Sequence, residues 1–139
     1  MSAEQNKATI HRWVEEAWNT GNFASADEMY SVSYVLHDNT GTVPGPQGLA
    51  QFISVFRTGF PDLHLAIEDM IAEEDKVAWR FTARGTHKGE LMGIPPTGKP
   101  VTVSGVVCSR FANGKWEEDW SNFDALGMLQ QLGVVPAMG

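Results

Sequence analysis

The amino-acid sequence predicts an α+β domain: a curved antiparallel β-sheet, amphipathic helices packed across one face, and an apolar pocket between them. Three observations lead there. Three stretches, Val77–His87, Val101–Phe111 and Trp116–Phe123, are rich in β-branched and aromatic residues and bounded by Gly, Pro and Asn clusters, which is the signal of strands. Asn113-Gly114 separates the last two, and Asn-Gly accepts the positive φ angles of a tight hairpin turn. The helical patterns come before the sheet, an order that puts helices on one side of an antiparallel layer. A sheet of four or more long strands twists and curls, so helices across its concave side leave a chamber.

The elements follow in order. Residues 3–20 read as a helix whose apolar stripe is Ile10, Trp13, Val14, Ala17 and Trp18, with Gly21 as its stop. Ala24 to Tyr30 reads as a short helix with Ser25 as a cap. Tyr34–His37 is a short strand ended by the turn Asp38–Gly41. Gly45-Pro46 opens a second amphipathic helix, because Pro at the first helical position gives up an N–H that would be unpaired anyway. Its stripe is Leu49, Phe52, Ile53, Phe56 and Phe60. Leu63, Leu65 and Ile67 alternate with His64, Ala66 and Glu68 as a half-buried strand, and Glu73-Glu74-Asp75 turns into the three long strands. The segment Gly89–Pro100 between the first two of these is too long and too rich in Pro and Gly to be only a connector. Asp124 caps a last short helix that Gly133 ends.

Composition narrows the function. A chain of 139 residues fits a single domain, 1–139, and 42% apolar residues suffice for a sizeable core. A net charge of −7 with no Lys/Arg run disfavours nucleic acid. The polar N-terminus and the absence of an apolar run of membrane length point to a cytoplasmic protein with no membrane partner. The lone Cys108 lies among valines and reads as a packed small residue. The four histidines show no metal-ligand spacing, and no glycine-rich phosphate loop is present, so neither metal nor cofactor is expected.

Several blocks carry a family resemblance: Gly85-Thr86-His87-Lys88-Gly89, Met92-Gly93-Ile94-Pro95-Pro96-Thr97-Gly98-Lys99, Phe60-Pro61-Asp62, Ile67-Glu68-Asp69-Met70-Ile71 and Gln130-Gln131-Leu132-Gly133. In order and spacing they resemble the SnoaL-like polyketide (ester) cyclases. The resemblance implies the cone-shaped sheet of the nuclear transport factor 2-like and ketosteroid isomerase-like proteins, a deep apolar pocket and frequent oligomers. It implies an intramolecular aldol ring closure, with an Asp on the last strand as acid/base and a His on the preceding strand assisting. Aligned on Asn113-Gly114-Lys115, those positions hold Ser121 and Val107 here, which is a departure from the family pattern. Serine alone is too weak an acid to serve as a base at neutral pH.

Strand parity supplies replacements. If Ser121 faces the pocket, so do Glu117, Asp119 and Phe123. A carboxylate at 119 in an apolar chamber gains proton affinity and exchanges protons near neutrality; the competing reading is a solvated acid beside Glu117 and Glu118. His37, at the end of its strand, is a candidate to share a proton with Asp119 or to bind a substrate oxygen, against a hydrogen-bonded histidine at a sheet end. The catalytic candidates are thus Asp119, His37 and Ser121. Pocket candidates are Trp79, Phe81, Val103 and Val107 from the strands, Trp18, Phe52 and Phe56 from the helices, and His87, which either edges the pocket or fixes the long loop. The opposite sheet face carries Arg80, Thr82, Arg84, Thr102, Ser104, Arg110 and Trp120, and is expected to join copies of the chain as a homodimer or larger homo-oligomer. The leading function is cofactor-free proton-transfer chemistry, ring closure or isomerisation, on an apolar cyclic or polyketide-like substrate. The alternatives are a small-ligand binder without catalysis, and an epoxide hydrolase or dehydratase on the same fold.

Overall fold

The structure, a computed structural model, describes residues 2–136, so the two extremes of the expected 1–139 domain lie outside the described residues. Helix α1, Ala3–Trp13, begins at a capping box in which the Ser2 hydroxyl accepts from the Gln5 N–H while the Gln5 side chain accepts from that of Ser2. It runs on into a single π turn, Val14–Trp18, with the Asn19 N–H bonded to the Val14 carbonyl. An inserted residue of this kind rotates everything beyond it. Here it brings Trp13 and Trp18 onto one face, where both line the same cavity. Helix α2 is one turn, Ala26–Met29. Ser25 makes no cap; its hydroxyl donates to Glu16 and accepts from Arg12 instead.

Six strands form one sheet: β1 Tyr30–Asp38, β2 Gly41–Pro44, β3 His64–Glu73, β4 Lys76–Thr86, β5 Pro100–Ala112 and β6 Lys115–Phe123. Their order is β2-β1-β6-β5-β4-β3. Every neighbouring pair is antiparallel except β1 and β6, which run parallel. Helix α3, Gly45–Gly59, crosses the inner face, and α4, Ala125–Leu132, packs at the β5 end. Asp124 caps α4 by accepting from the Gly127 N–H at 2.9 Å, and Gly133 closes it at φ +81°. The Asn113-Gly114 turn has φ of +53° and +75°, the pair of values that two-residue hairpins favour.

Three features depart from the sequence reading. β1 starts at Tyr30 and β2 follows it, so Asp38–Gly41 is a hairpin turn between strands. β3 does not stop at Ile67 but continues to Glu73. The break in its alternation is a bulge, since Ile67 pairs with Phe81 and Asp69 with Arg80, leaving Glu68 over. A second bulge lies in β6, where Arg110 pairs with Glu118 and Phe111 with Trp116, leaving Glu117 over.

The inner face alternates cleanly on the long strands. Val77, Trp79, Phe81 and Gly85 of β4 are buried, as are Val101, Val103, Gly105, Val107, Ser109 and Phe111 of β5. Two apolar clusters result, one around Trp13, Tyr30, Trp79 and Trp116, the other around Phe60, Leu91, Val103 and Met128; Trp18, Ala83 and Phe123 pack against both. The long loop is tied to the second cluster. Leu91 is fully buried in it, and Lys88 and Gly89 donate to the Gly59 carbonyl. Among the described residues no helix is long and apolar enough to cross a membrane.

Gly105, paired with Phe81 on one side and Phe123 on the other, leaves room for the Phe81 ring to lie over β5. A Cβ there would sit 2.4 Å from Cζ of Phe81 and 2.9 Å from the Asn122 carbonyl oxygen. Gly→Ala in a strand ordinarily stabilises, but here overpacking reverses the sign. G105A is expected to lose about 2 kcal/mol in a urea unfolding titration, whereas G114A, over open space but at positive φ, loses about 1 kcal/mol.

Candidate active site

The two clusters do not close on each other. Between them is a cavity of about 100 Å³, walled by the inner sheet face, α3 and the Trp13–Trp18 face. Trp79, Phe81, Val103 and Val107 reach it from the sheet, and Trp18, Phe52 and Phe56 from the helices. The last three form a chain of ring contacts, with Trp18 edge-on to Phe52 and Phe52 edge-on to Phe56, at centroid separations of 6.4 and 5.2 Å. Such a wall offers flat, rigid apolar surface and few polar groups.

Asp119 is the carboxylate buried in this wall, 4% exposed. Three donors meet it. Oδ1 accepts from the Ser109 hydroxyl at 2.5 Å and from Trp116 Nε1 at 2.8 Å, and Oδ2 accepts from the Tyr34 hydroxyl at 2.6 Å. Trp79 Nε1 in turn donates to Ser109 Oγ at 3.0 Å, which fixes the direction of that hydroxyl. The Asp119 pKa is raised to about 6: burial drives it up, the bonds from Ser109, Tyr34 and Trp116 hold back part of that rise, and the nearby Glu118 charge adds a smaller upward push. Burial, and after it the Asp119 charge, keeps the Tyr34 and Tyr30 phenols protonated well above their usual range. Tyr34 therefore stays a donor.

The geometry depends on the β6 bulge. With the extra residue at Glu117, Trp116 and Asp119 both point inward, three positions apart, close enough for the indole N–H to meet the carboxylate. The expected inward parity thus holds for Asp119, Ser121 and Phe123, which line the cavity, and fails for Glu117, which is bonded to the Ser33 hydroxyl. Ser121 lies directly across from Val107 on β5, with both side chains on the cavity wall.

His37 is not brought to Asp119. Leu36 is the inward residue of β1 at that level, paired with Asp119, so His37 falls on the outer face beside Trp120. Its ring stacks on Trp120 at 5.6 Å, and Nε2 lies 2.6 Å from Glu118, which Arg110 also holds at 3.0 Å. These bonds, that to His37 foremost, lower the Glu118 pKa. A neighbour in sequence thus meets the opposite surroundings from Asp119. His87 is likewise off the cavity wall. It is fully buried under the long loop, its ring 5.6 Å from that of Phe60, with Nδ1 accepting from the Thr97 N–H at 3.2 Å. Its place is structural, tying the two ends of the loop together. Among the described residues no three His, Cys, Asp or Glu side chains converge as a metal site.

Ser109, Tyr34 and Trp116 were not singled out from the sequence. One signal was there: Ser109 shares the parity of Val107 and Phe111, a lone polar residue in an inward apolar row. The other two depend on the pairing of β1 with β6 and on the bulge, neither of which local pattern reveals.

The sequence matches the model of the SnoaL-like polyketide cyclases over residues 8–132. Nogalonic acid methyl ester cyclase of Streptomyces nogalater is 32% identical, covering 84% of this chain and 90% of its own. Among solved structures, AclR of Streptomyces galilaeus, a proposed hydroxylase, is 32% identical and superposes with a TM-score of 0.87, covering 99% of this chain and 87% of its own. A proposed SnoaL-like polyketide cyclase from Jannaschia sp. CCS1 is 26% identical with a TM-score of 0.88, covering 96% of this chain and 95% of its own. From its first helix to its last, in sequence and in its curved α+β architecture, the chain belongs to the SnoaL-like polyketide cyclase family.

Proposed function

We propose that this protein closes a ring in a polyketide-type substrate by acid/base catalysis without a cofactor, Asp119 carrying the proton. The observation that supports this reading is a carboxylate set in an apolar cavity, anchored by three donors, with a pKa of about 6. Such a group is mostly ionised at neutral pH yet still a competent proton acceptor. In the proposed step, ionised Asp119 takes a proton from a carbon next to a carbonyl. The resulting enolate carbon bonds to a second carbonyl carbon of the same molecule, whose π bond breaks. The new alkoxide takes the proton back from Asp119 and becomes a hydroxyl. The product is an isomer of the substrate, and no co-reactant is consumed. The Ser121 hydroxyl donates to the oxygen on which charge develops. Curated relatives are named cyclases of nogalonic and aklanonic acid methyl esters, and a methyl ester of that class is the proposed substrate. His37, on the far side of the sheet, has no part in the step.

The departure at Ser121 and Val107 favours one competing reading, a ligand-binding relative without turnover. D119N separates them. With a nogalonic-type methyl ester as substrate, kcat is expected to fall at least 100-fold while ligand binding persists; unchanged turnover removes Asp119 from the chemistry. In the wild type, activity rises with pH through about 6 and then levels, because the ionised form is the active one.

The donors give a second test. S109A removes the largest of the downward influences on the Asp119 carboxylate. The midpoint followed by carboxyl-carbon NMR is expected to move up by about one unit, and the activity profile should move with it.

We also propose that two copies associate through the outer sheet face. There Trp120, 39% exposed, and Val106, 52% exposed, stand on adjacent strands among paired charges. W120E is expected to shift the wild-type mass in light scattering toward the 15.3 kDa monomer; a wild type that is already monomeric defeats this assembly.

A further inference from the structure

The proposed reaction uses one carboxylate, but the cavity wall holds two. Asp38 is the last residue of β1 and lines the same cavity as Asp119 and Ser121. Leu36 pairs with Asp119 and His37 with Trp120, so the next step of this parallel register sets Asp38 beside Ser121. The turn that follows holds half of its carboxylate: Oδ2 accepts from the Thr40 hydroxyl at 3.0 Å and faces the Thr40 N–H at 3.4 Å. Oδ1 is shut off from solvent and has no hydrogen-bond partner. A buried carboxylate oxygen without a donor is costly, and nothing in the surrounding chain relieves it. The adjoining Asn39 cannot turn to it, because its amide is engaged on both sides by the backbone of Phe123, at 2.6 and 3.1 Å.

We infer that Asp38 is a substrate-binding carboxylate whose Oδ1 accepts a hydrogen bond from a hydroxyl of the bound ligand, next to Ser121. This rests on the reading of the cavity as the substrate site and adds the chemistry that orients the substrate in it. The polar part of the wall consists mainly of acceptors: the Asp38 carboxylate, the remaining lone pair of Asp119 Oδ2, and a serine hydroxyl that serves either way. The one cationic residue of the lining is Arg84, which is exposed. The wall therefore suits a neutral ring system bearing a hydroxyl and opposes an anionic one. Asp38 and Asp119 come from adjacent parallel strands, two residues out of step. A hydroxyl held by Asp38 thus fixes the in-plane rotation of a flat substrate relative to the proton carrier. An apolar wall by itself leaves that rotation free.

The test is a pair of ligands that share a ring and differ in one donor, 2-naphthol and 2-methoxynaphthalene, titrated calorimetrically at pH 7 into wild type, D38A, D38N and D119N. Wild type is expected to bind the naphthol at least 10-fold more tightly than the ether, as fits one hydrogen bond to a charged acceptor. D38A should bring the ratio near unity by weakening the naphthol alone. D38N, whose amide oxygen still accepts, should keep part of the preference, which shows that a folded cavity remains. D119N should keep it nearly whole. A ratio unchanged in D38A, or one lost in D119N instead, overturns the assignment to Asp38 and leaves the cavity reading standing. If neither ligand binds wild type, the cavity reading fails and this inference fails with it.

Discussion

A carboxylate taken out of water has to be met by donors, and here the donors come from three strands. Tyr34 lies on β1, Ser109 on β5 and Trp116 on β6, and they converge on Asp119 only because the sheet order places β6 between β1 and β5. Left bare in apolar surroundings, the ionised group would cost several kcal/mol and would simply take up a proton. With three bonds it remains ionisable, and what is left of the desolvation penalty shows as an enhanced affinity for protons. Stability and reactivity are therefore set by the same contacts. The sheet cannot loosen near Ser109 without changing the proton affinity of the group it holds.

The sheet keeps two kinds of electrostatics apart by alternation alone. Asp119 and Glu118 are consecutive, yet one is driven toward the neutral form and the other toward the charged form. On the outer side Glu118 has Arg110 and His37 in a partly wet setting, where charge is easily kept. On the inner side only neutral donors reach the carboxylate. A cation placed inside would hold Asp119 ionised and blunt it as a base. The exclusion of Arg, Lys and His from that shell is as much a part of the arrangement as the donors that are present.

Much of this was readable from the residues, and the unreadable part has a physical pattern. Strands β4, β5 and β6 announce themselves by β-branched runs and the Asn-Gly turn, and α3 by its Pro start and aromatic stripe. Period-two parity then put Asp119, Ser121, Trp79, Phe81, Val103 and Val107 on one side, where the structure has them. What local pattern missed is where the pattern itself is broken. The bulges at Glu68 and Glu117 reset the parity, and β2, four residues between turns, is too short to carry a period. His37 was drawn into the site by its position at a strand end, and its side chain is one residue out of phase with Leu36. Of the donors to Asp119, Tyr34 stayed hidden because it depends on a parallel pairing between β1 and β6, and Trp116 because it depends on the bulge at Glu117; nothing nearby in sequence records either.

The π turn at Val14–Trp18 bears on how such a chamber is reshaped. A regular α-helix advances about 100° per residue, so Trp13 and Trp18, five apart, would diverge by about 140° were the turn ordinary. Relaxing the π turn to a regular α turn with the residue count unchanged would swing the second indole off the wall and leave the strands untouched. A lineage can thus enlarge or reorient the hollow through the winding of one helical turn, at a point remote from the carboxylate and its strand pairings, and so change which molecules fit without disturbing the group that transfers the proton.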